Sequence, residues 1–314
     1  MIHAIIIRGK HSLLTVLILI LTSSCAYQLG SLENPGQGFN LVPQTMEIQM
    51  GLEAADEIEA EERLLSDSYV QSYINQLGQR LVQSSRRPDI AYQFKVIDTD
   101  EMNAFALPGG FIYINRGLIE AAESEAELAG VIAHEIGHVT ARHGAKRMTK
   151  QILLQIGFAA FSAMSDHDRD TQMKLLIANA IATGFLLKNS RDNERQADDL
   201  GTENLYRAGY DPISLAHFFD TLGQKHSPSA LETFFSTHPS PGERIRNVQM
   251  LIATFPPQTY MTDSPEFQYV KQQLTGKPSV ASHRRPQQQP QYRQRVTFRR
   301  QGLRRKASGM IRRQ

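Results

Sequence analysis

Apolar residues recur at spacings of three and four along one short stretch of the chain, and this spacing predicts a helix. The stretch begins with Ser124 and two acidic residues, which is typical of a helix N-terminus. Its apolar positions are Leu128, Val131, Ile132, Ile136 and Val139. Few polar residues interrupt them, so we expect this helix to be buried.

The other segments predict a mainly helical α+β fold. Helical spacing also covers residues 46–65, 68–84, 190–207 and 241–255. Residues 92–97 and 110–115 alternate like strands, the second of them after a Pro108-Gly109-Gly110 turn. We therefore expect a small β-sheet beside the buried helix.

Two further apolar runs, 152–161 and 175–187, bear on membrane insertion. Both are shorter than the roughly 20 residues that a helix needs to cross a bilayer. We interpret them as buried helices, with membrane-facing helices as the alternative.

The buried helix also carries the sequence His134-Glu135-Ile136-Gly137-His138. Two histidines four residues apart lie on one helix face and can hold one metal ion, and Glu135 is placed beside them to handle a proton. Zinc suits this set because it binds neutral imidazole nitrogen and, with three protein ligands, leaves a fourth position for water. Two incidental histidines in a structural helix are the alternative.

A third metal ligand is available in the predicted helix 190–207. Glu194 and Asp198 share one face of that helix, so the first can bind the metal while the second accepts the spare N–H of a ligating histidine. An E-x-x-x-D pair is also typical of a solvated acidic helix face. Its position after the H-E-x-x-H helix favours the metal interpretation.

Four motifs in this order resemble one peptidase family. They are Asn103-Ala104-Phe105-Ala106-Leu107-Pro108-Gly109-Gly110, the H-E-I-G-H segment, Asn193-Glu194-Arg195-Gln196-Ala197-Asp198 and Thr237-His238-Pro239. Together they resemble the zinc metallopeptidase family of the CAAX prenyl endopeptidases and HtpX, and within it the bacterial lipoprotein branch typified by LoiP and BepA. The resemblance covers roughly residues 46 to 255.

This resemblance implies a zincin-like (gluzincin) domain with one Zn²⁺ per chain. It implies His134, His138 and Glu194 as the zinc ligands and Glu135 as the general base. Asp198 would orient one of the two ligating histidines. No 34-residue helical repeat follows the predicted core, so the repeat-based partner docking of some relatives is not expected.

The resemblance also assigns two residues outside the ligand set. It places His238 near the zinc, where this side chain would stabilise the oxyanion or occupy the open position of the metal in a resting state. A structural histidine pinned by the neighbouring proline is the alternative. Asn103 is implied as a neighbour of the active site that positions the substrate.

Substrate binding is predicted at the strand that contains Phe111, Ile112 and Tyr113. An extended peptide adds to an exposed edge strand through main-chain hydrogen bonds, and 111–115 is the candidate edge. An ordinary core hairpin is the alternative, because the sequence does not show which edge of the sheet is exposed.

The first 24 residues have the pattern of a secretory signal. A basic start and an apolar run over 13–21 lead to small residues and to the one cysteine of the chain, Cys25. The pattern resembles a bacterial lipobox, although Thr22 stands where Leu is usual, and it implies lipid attachment to Cys25. Ala26 in place of Asp after the cysteine indicates the outer membrane. An uncleaved N-terminal anchor is the alternative.

The end of the chain has a different composition. Residues 278–314 contain ten Arg, one Lys and no acidic residue, interleaved with Gln and Pro, which predicts a disordered tail. Because the whole chain carries a net charge of +2, the rest of it is net acidic. On an exported protein such a tail indicates contact with anionic lipid or lipopolysaccharide rather than nucleic acid, or a tail without a partner.

These features divide the chain into five segments. They are a signal peptide over 1–24, a tether over 25–45 that supplies no core, a metallopeptidase domain over 46–256, a short extension over 257–277 and the basic tail over 278–314. A chain of 314 residues with 41% apolar content can bury the core of one such domain. A single cysteine excludes an internal disulfide framework.

The sequence therefore predicts a zinc metalloendopeptidase. Its polypeptide substrates would be misfolded or unassembled periplasmic or outer-membrane proteins, and a lipid on Cys25 would hold it at the outer membrane facing the periplasm. The rival is a periplasmic chaperone or assembly factor with latent proteolysis. A degenerate binding module is disfavoured because the set of ligands and base is complete.

Overall fold

The computed structural model describes residues 35–36, 38–162, 190–225, 238 and 242–276. In chain order the elements within these ranges are α1 (Gln44–Glu61), α2 (Ser68–Ser84), β1 (Gln93–Ile97), β2 (Ala104–Leu107), β3 (Phe111–Asn115), α3 (Arg116–Ala121), α4 (Glu125–Thr140), α5 (His143–Ser162), α6 (Arg191–Arg207), α7 (Ser214–Lys225), α8 (Gly242–Ile252) and α9 (Pro265–Thr275). This helical architecture with one small sheet confirms the predicted α+β fold class.

Several predictions lie outside the described residues: the signal peptide with Cys25, most of the tether, the run 175–187 and the basic tail. In the run 152–161, Leu153 and Leu154 are exposed rather than buried. Among the helices in the described ranges, none combines the length and the apolar character that a bilayer crossing requires.

The sheet has the order β1-β3-β2, with β3 parallel to β1 and antiparallel to β2. Phe111, Ile112 and Tyr113 are thus buried in the central strand, and the prediction that 111–115 is an exposed edge is wrong. The reason is the turn at Pro108–Gly110, whose glycines have φ values of 77° and 99°. These left-handed conformations fold β2 back against β3.

The two edges of the sheet differ in their exposure to a further strand. At β1, the Leu65 N–H donates to the Val96 carbonyl, and the Gln71 side chain bonds both the N–H and the carbonyl of Val96. Within the described residues, β2 has a strand neighbour on one side only. The edge open to an added strand is therefore β2.

Helix α4 lies at the centre of the fold. All of its residues from Glu125 to Thr140 are buried, as predicted, and it packs against α6, α7 and β2. Gly137 permits close approach of α6, since a Cβ atom there would lie 2.7 Å from the Ala197 carbonyl oxygen. Helices α4 and α6 therefore present facing side chains at short range.

The N-terminal end of α4 is fixed by a buried carboxylate, Glu125. This carboxylate accepts hydrogen bonds from Tyr73, Tyr210, Arg80 and Ser264, which lie on α2, on the loop after α6 and at the start of α9. Phe267 and Val270 of α9 are fully buried in the same core as α4. The described part of the predicted extension, residues 257–276, thus contributes side chains to this core.

The end of the predicted tether also belongs to the core. Val42 is buried and packs with Met50, Ala145 and Met148, and the Leu41 N–H donates to Thr149 Oγ1. The prediction that residues 25–45 supply no core is therefore wrong at this end. One valine beside Pro43 is too short a signal for periodicity to detect.

Candidate active site

The predicted metal ligands lie on α4 and α6. His134 and His138 stand one turn apart on α4, and Glu194 lies in the first turn of α6. The Ser190 hydroxyl accepts a hydrogen bond from the Asn193 N–H and so caps the N-terminus of α6. With α6 beginning at this point, Glu194 faces α4. The side chains of all three predicted ligands are buried.

The three side chains converge on one small volume. The Nε2 atoms of His134 and His138 are 3.0 Å apart. The Glu194 carboxylate lies 3.5 Å from His134 Nε2 and 3.4 Å from His138 Nε2. The structure therefore brings together the two imidazoles and the distant carboxylate that the sequence predicts as ligands.

His238 reaches the same volume from another part of the chain. Its Nδ1 lies 3.1 Å from Glu194 Oε2 and 3.3 Å from His134 Nε2, and its Nε2 lies 3.5 Å from Glu135 Oε1. Ligand atoms of His134, Glu135, His138 and His238 all lie within 4.8 Å of one another. The geometry thus favours a site residue over a purely structural histidine.

The donor set fits a divalent cation. Glu135 Oε1 and Glu194 Oε1 are buried and accept no hydrogen bond of normal geometry from the described residues. Buried carboxylate oxygens without a donor are costly, and a cation between them and the imidazoles removes that cost. Imidazole nitrogen and carboxylate oxygen are ligands that zinc accepts.

The charges around the site hold Glu194 ionised. Burial raises the pKa of Glu194, but the charge of His238 and the close approach of the His134 and His138 imidazoles outweigh it and lower the pKa. Burial lowers the pKa of His134, but Asp198 and Glu194 outweigh it and raise that pKa to about 9. Metal binding must displace the resulting proton, so zinc affinity falls as the pH falls.

Asp198 holds one of the two histidines in place. Its Oδ1 lies 2.9 Å from His134 Nδ1, so the structure selects His134 rather than His138 as its partner. Arg244 of α8 donates two hydrogen bonds of 2.7 Å to the Asp198 carboxylate and lies 3.1 Å from Glu194. Burial raises the pKa of Asp198, but the Arg244 charge outweighs it and lowers this pKa.

The other histidine, His138, contacts the imidazole of a further histidine. His143 is buried, and its Nδ1 lies 2.8 Å from His138 Nδ1 while its Nε2 lies 3.0 Å from Gln196 Oε1. Burial, followed by the charge of His138, lowers the pKa of His143 well below its usual value. A neutral imidazole therefore supports His138.

Sequence reasoning missed Arg244 and His143. Arg244 shares a face of α8 with the buried Val248, and a charged residue on an apolar face is a signal that could have found it. His143 follows a left-handed residue, Arg142, with a φ of 56°. This break between α4 and α5 removes the helical spacing that would link His143 to His138.

The predicted substrate residues are placed differently from the ligands. Asn103 is buried just before β2, and its Oδ1 accepts no hydrogen bond from the described residues. Phe111, Ile112 and Tyr113 lie in the central strand, and the Tyr113 hydroxyl donates to Glu59. A role of Asn103 in positioning the substrate stays a prediction.

Arg244→Met is expected to destabilise the zinc-free protein by about 3–5 kcal/mol, because it removes a buried cation that contacts the carboxylates of both Asp198 and Glu194. Urea unfolding followed by circular dichroism measures the change. Arg246→Met, at an exposed position of the same helix, is the control and should change stability little. Equal stabilities of the two variants would contradict the assigned role of Arg244.

Comparison with known proteins places this site in a family. The family model described as peptidase family M48 matches residues 68–252. The chain belongs to peptidase family M48. The resemblance inferred from the four motifs is thereby confirmed, and the matched range includes α4 and α6, the helices that carry the predicted ligands.

Individual relatives match the same part of the chain. The beta-barrel assembly-enhancing protease of Escherichia coli K12 is 31% identical over 209 residues, 65% of this chain and 43% of that protein. A putative beta-barrel assembly-enhancing protease of Vibrio cholerae is 34% identical over 200 residues, 62% of this chain and 41% of the relative. The mitochondrial metalloendopeptidase OMA1 of Schizosaccharomyces pombe is 30% identical over 218 residues, 67% and 62% of the two chains. The matched region thus spans less than half of the bacterial relatives.

Proposed function

We propose that this M48 protein is a zinc-dependent endopeptidase that hydrolyses peptide bonds in polypeptides of the cell envelope. The observation that carries the proposal is the convergence of His134, His138 and Glu194 in a buried volume, with Glu135 beside them. Membership of a peptidase family supports it.

The roles of the residues follow from their positions. Zinc held by His134, His138 and Glu194 would polarise the peptide carbonyl and lower the pKa of water to about 7. Glu135 accepts the proton of the attacking water and passes it to the leaving amine. Its Oε1 accepts no hydrogen bond from the described residues, so the carboxylate is available for this transfer.

His238 has two proposed roles that belong to different states. In the structure, His238 lies against His134 and Glu194, two of the residues that would hold the metal. This position supports a resting state in which His238 fills the open coordination position of the metal. After a shift away from these residues, its proximity to Glu135 would let its ring N–H donate to the oxyanion.

We propose that the substrate adds to β2. This strand is the edge that remains open within the described residues, and it packs against α4, which carries the metal-site histidines. An extended peptide that pairs with β2 gains main-chain hydrogen bonds and passes beside the site. The proposal replaces the predicted edge at 111–115.

A photo-crosslinking amino acid at Phe105 of β2 is expected to capture a bound peptide in the Glu135→Gln protein, because Phe105 is half-buried on the open edge. The same group at Lys95 of β1 is the control, since that edge is covered, and should give little product. Gel electrophoresis of the crosslinked species measures the yield. Greater capture at Lys95 than at Phe105 would rule out β2 as the docking strand.

We also propose a place in the envelope. The signal pattern supports an outer-membrane lipoprotein attached through Cys25 and facing the periplasm. The names of the bacterial relatives, which refer to β-barrel assembly, support unassembled outer-membrane proteins as substrates. The basic tail over 278–314 would contact anionic lipid or lipopolysaccharide.

A second candidate function is that of a periplasmic chaperone or assembly factor with latent proteolysis. The position of His238 against the metal ligands favours it, because this side chain would keep water and substrate from the site. Complementation of a deletion strain by the Glu135→Gln form discriminates between the two. Full rescue supports the assembly factor, and failure to rescue supports the peptidase.

Metal removal tests the proposed activity directly. Treatment with a chelator is expected to abolish cleavage of an unfolded polypeptide, and added zinc should restore it, because zinc would supply the Lewis acid of the proposed reaction. The rate of peptide release is the measurement. Undiminished cleavage by protein shown to be free of metal would contradict the proposal.

A further inference from the structure

The two histidines of the metal site rest on different partners. His134 Nδ1 faces the Asp198 carboxylate at 2.9 Å, whereas His138 Nδ1 faces the imidazole of His143 at 2.8 Å. A carboxylate can only accept a hydrogen bond, so it fixes the His134 tautomer by itself. An imidazole can donate or accept, so the His138 tautomer depends on what holds His143.

Gln196 is the residue that holds His143. Its side-chain Oε1 lies 3.0 Å from His143 Nε2, and an amide oxygen is an acceptor. His143 therefore carries its proton on Nε2 and leaves Nδ1 as an acceptor. His138 in turn must donate from Nδ1, which leaves its Nε2 lone pair directed toward His134 and Glu194.

We propose that His143 and Gln196 are positioning residues that fix the tautomer and ring orientation of His138 for metal binding. This inference rests on the proposed zinc site, and it adds two residues that hold a zinc ligand in position. Outer contacts of this kind orient ligating histidines and typically change metal affinity 10–100-fold.

The fold places these two residues by separate means. Arg142 adopts its left-handed conformation between α4 and α5, and its side chain is held by Glu47 at 2.8 Å and by the Val42 carbonyl at 2.7 Å. This turn sends His143 back against α4. Gln196 lies two residues after Glu194 on α6, so the helix that supplies a ligand also supplies the acceptor.

The test compares His143→Leu with His143→Asn in the full chain. Leucine fills the volume but removes the acceptor, whereas the Asn side-chain oxygen can take the position of Nδ1. The zinc dissociation constant, measured by competition with a chelator, is expected to rise about 10–100-fold for His143→Leu and much less for His143→Asn. His217→Leu, at an exposed position on α7, is the control and should bind zinc as the wild type does.

A second measurement reports on the tautomer itself. In ¹⁵N spectra of the zinc-loaded wild type, His143 is expected to be protonated at Nε2 and not at Nδ1. Protonation at Nδ1 would overturn the inference. Wild-type zinc affinity in His143→Leu would also overturn it. A third contrary result is an equal loss of zinc affinity in both His143 variants together with a lower melting temperature of the metal-free protein, since this combination indicates a merely structural role of His143. Wild-type protein that binds no zinc would instead overturn the proposed function itself.

Discussion

Glu135→Gln protein is expected to cleave a polypeptide about 10²–10⁴-fold more slowly than the wild type while binding the same amount of zinc. The amide has nearly the same volume as the carboxylate but cannot accept the proton of the attacking water. Because Glu135 is buried beside the histidines, the substitution leaves the ligand atoms in place. Initial rates at saturating substrate, together with metal analysis, measure the two quantities.

Glu127→Gln is the matched control for this experiment. Glu127 is a buried carboxylate on the same helix, but it lies in the first turn and accepts from the Glu123 N–H, away from the metal ligands. The Glu127→Gln substitution should leave the cleavage rate close to the wild-type value. Substantial proteolysis by purified Glu135→Gln protein would remove Glu135 from the role of general base.

Glu194→Ala is expected to lose both zinc and activity. Alanine leaves two imidazoles from α4 without the carboxylate that completes the set, and two ligands hold zinc far more weakly than three. Zinc content after dialysis against a weak chelator measures the loss. Asp192→Ala, at an exposed position two residues earlier on α6, is the control and should retain one zinc per chain. Full zinc content in Glu194→Ala would show that another residue is the third ligand.

The centre of the site could be predicted from the sequence because it depends on local spacing. His134 and His138 share a face of any α-helix, and the apolar positions around them identify that helix as buried. Glu194 and Asp198 were predicted by the same spacing on a second helix, together with the order of four motifs. Their convergence needed the close packing at Gly137, which no spacing rule supplies.

The supporting residues could not be predicted because they depend on turns and tertiary packing. Arg244 lies 46 residues after Asp198, and only the packing of α8 against α6 joins the two. His143 depends on the left-handed conformation of Arg142, which is unusual for a residue other than glycine. Side-chain contacts with Glu47 and Val42 hold that conformation, and these residues lie about 100 positions earlier in the chain.

The wrong prediction that residues 111–115 form an exposed edge of the sheet has a similar cause. The segment Ala-Phe-Ala-Leu over 104–107 is too short and has too few β-branched residues to predict a strand by itself. It becomes one because the turn at Pro108–Gly110 lays it against β3. Once β2 is present, β3 is central, and the open edge moves from residues 111–115 to residues 104–107.

Anomalous X-ray scattering at the zinc edge from crystals of the zinc-loaded protein tests the central claim most directly. We predict one peak per chain, at roughly 2.0–2.2 Å from His134 Nε2, His138 Nε2 and a Glu194 carboxylate oxygen. The assignment of the metal site, and the peptidase mechanism that depends on it, would be contradicted by a zinc peak at another place in the protein. They would also be contradicted if fully loaded protein showed no peak at these side chains.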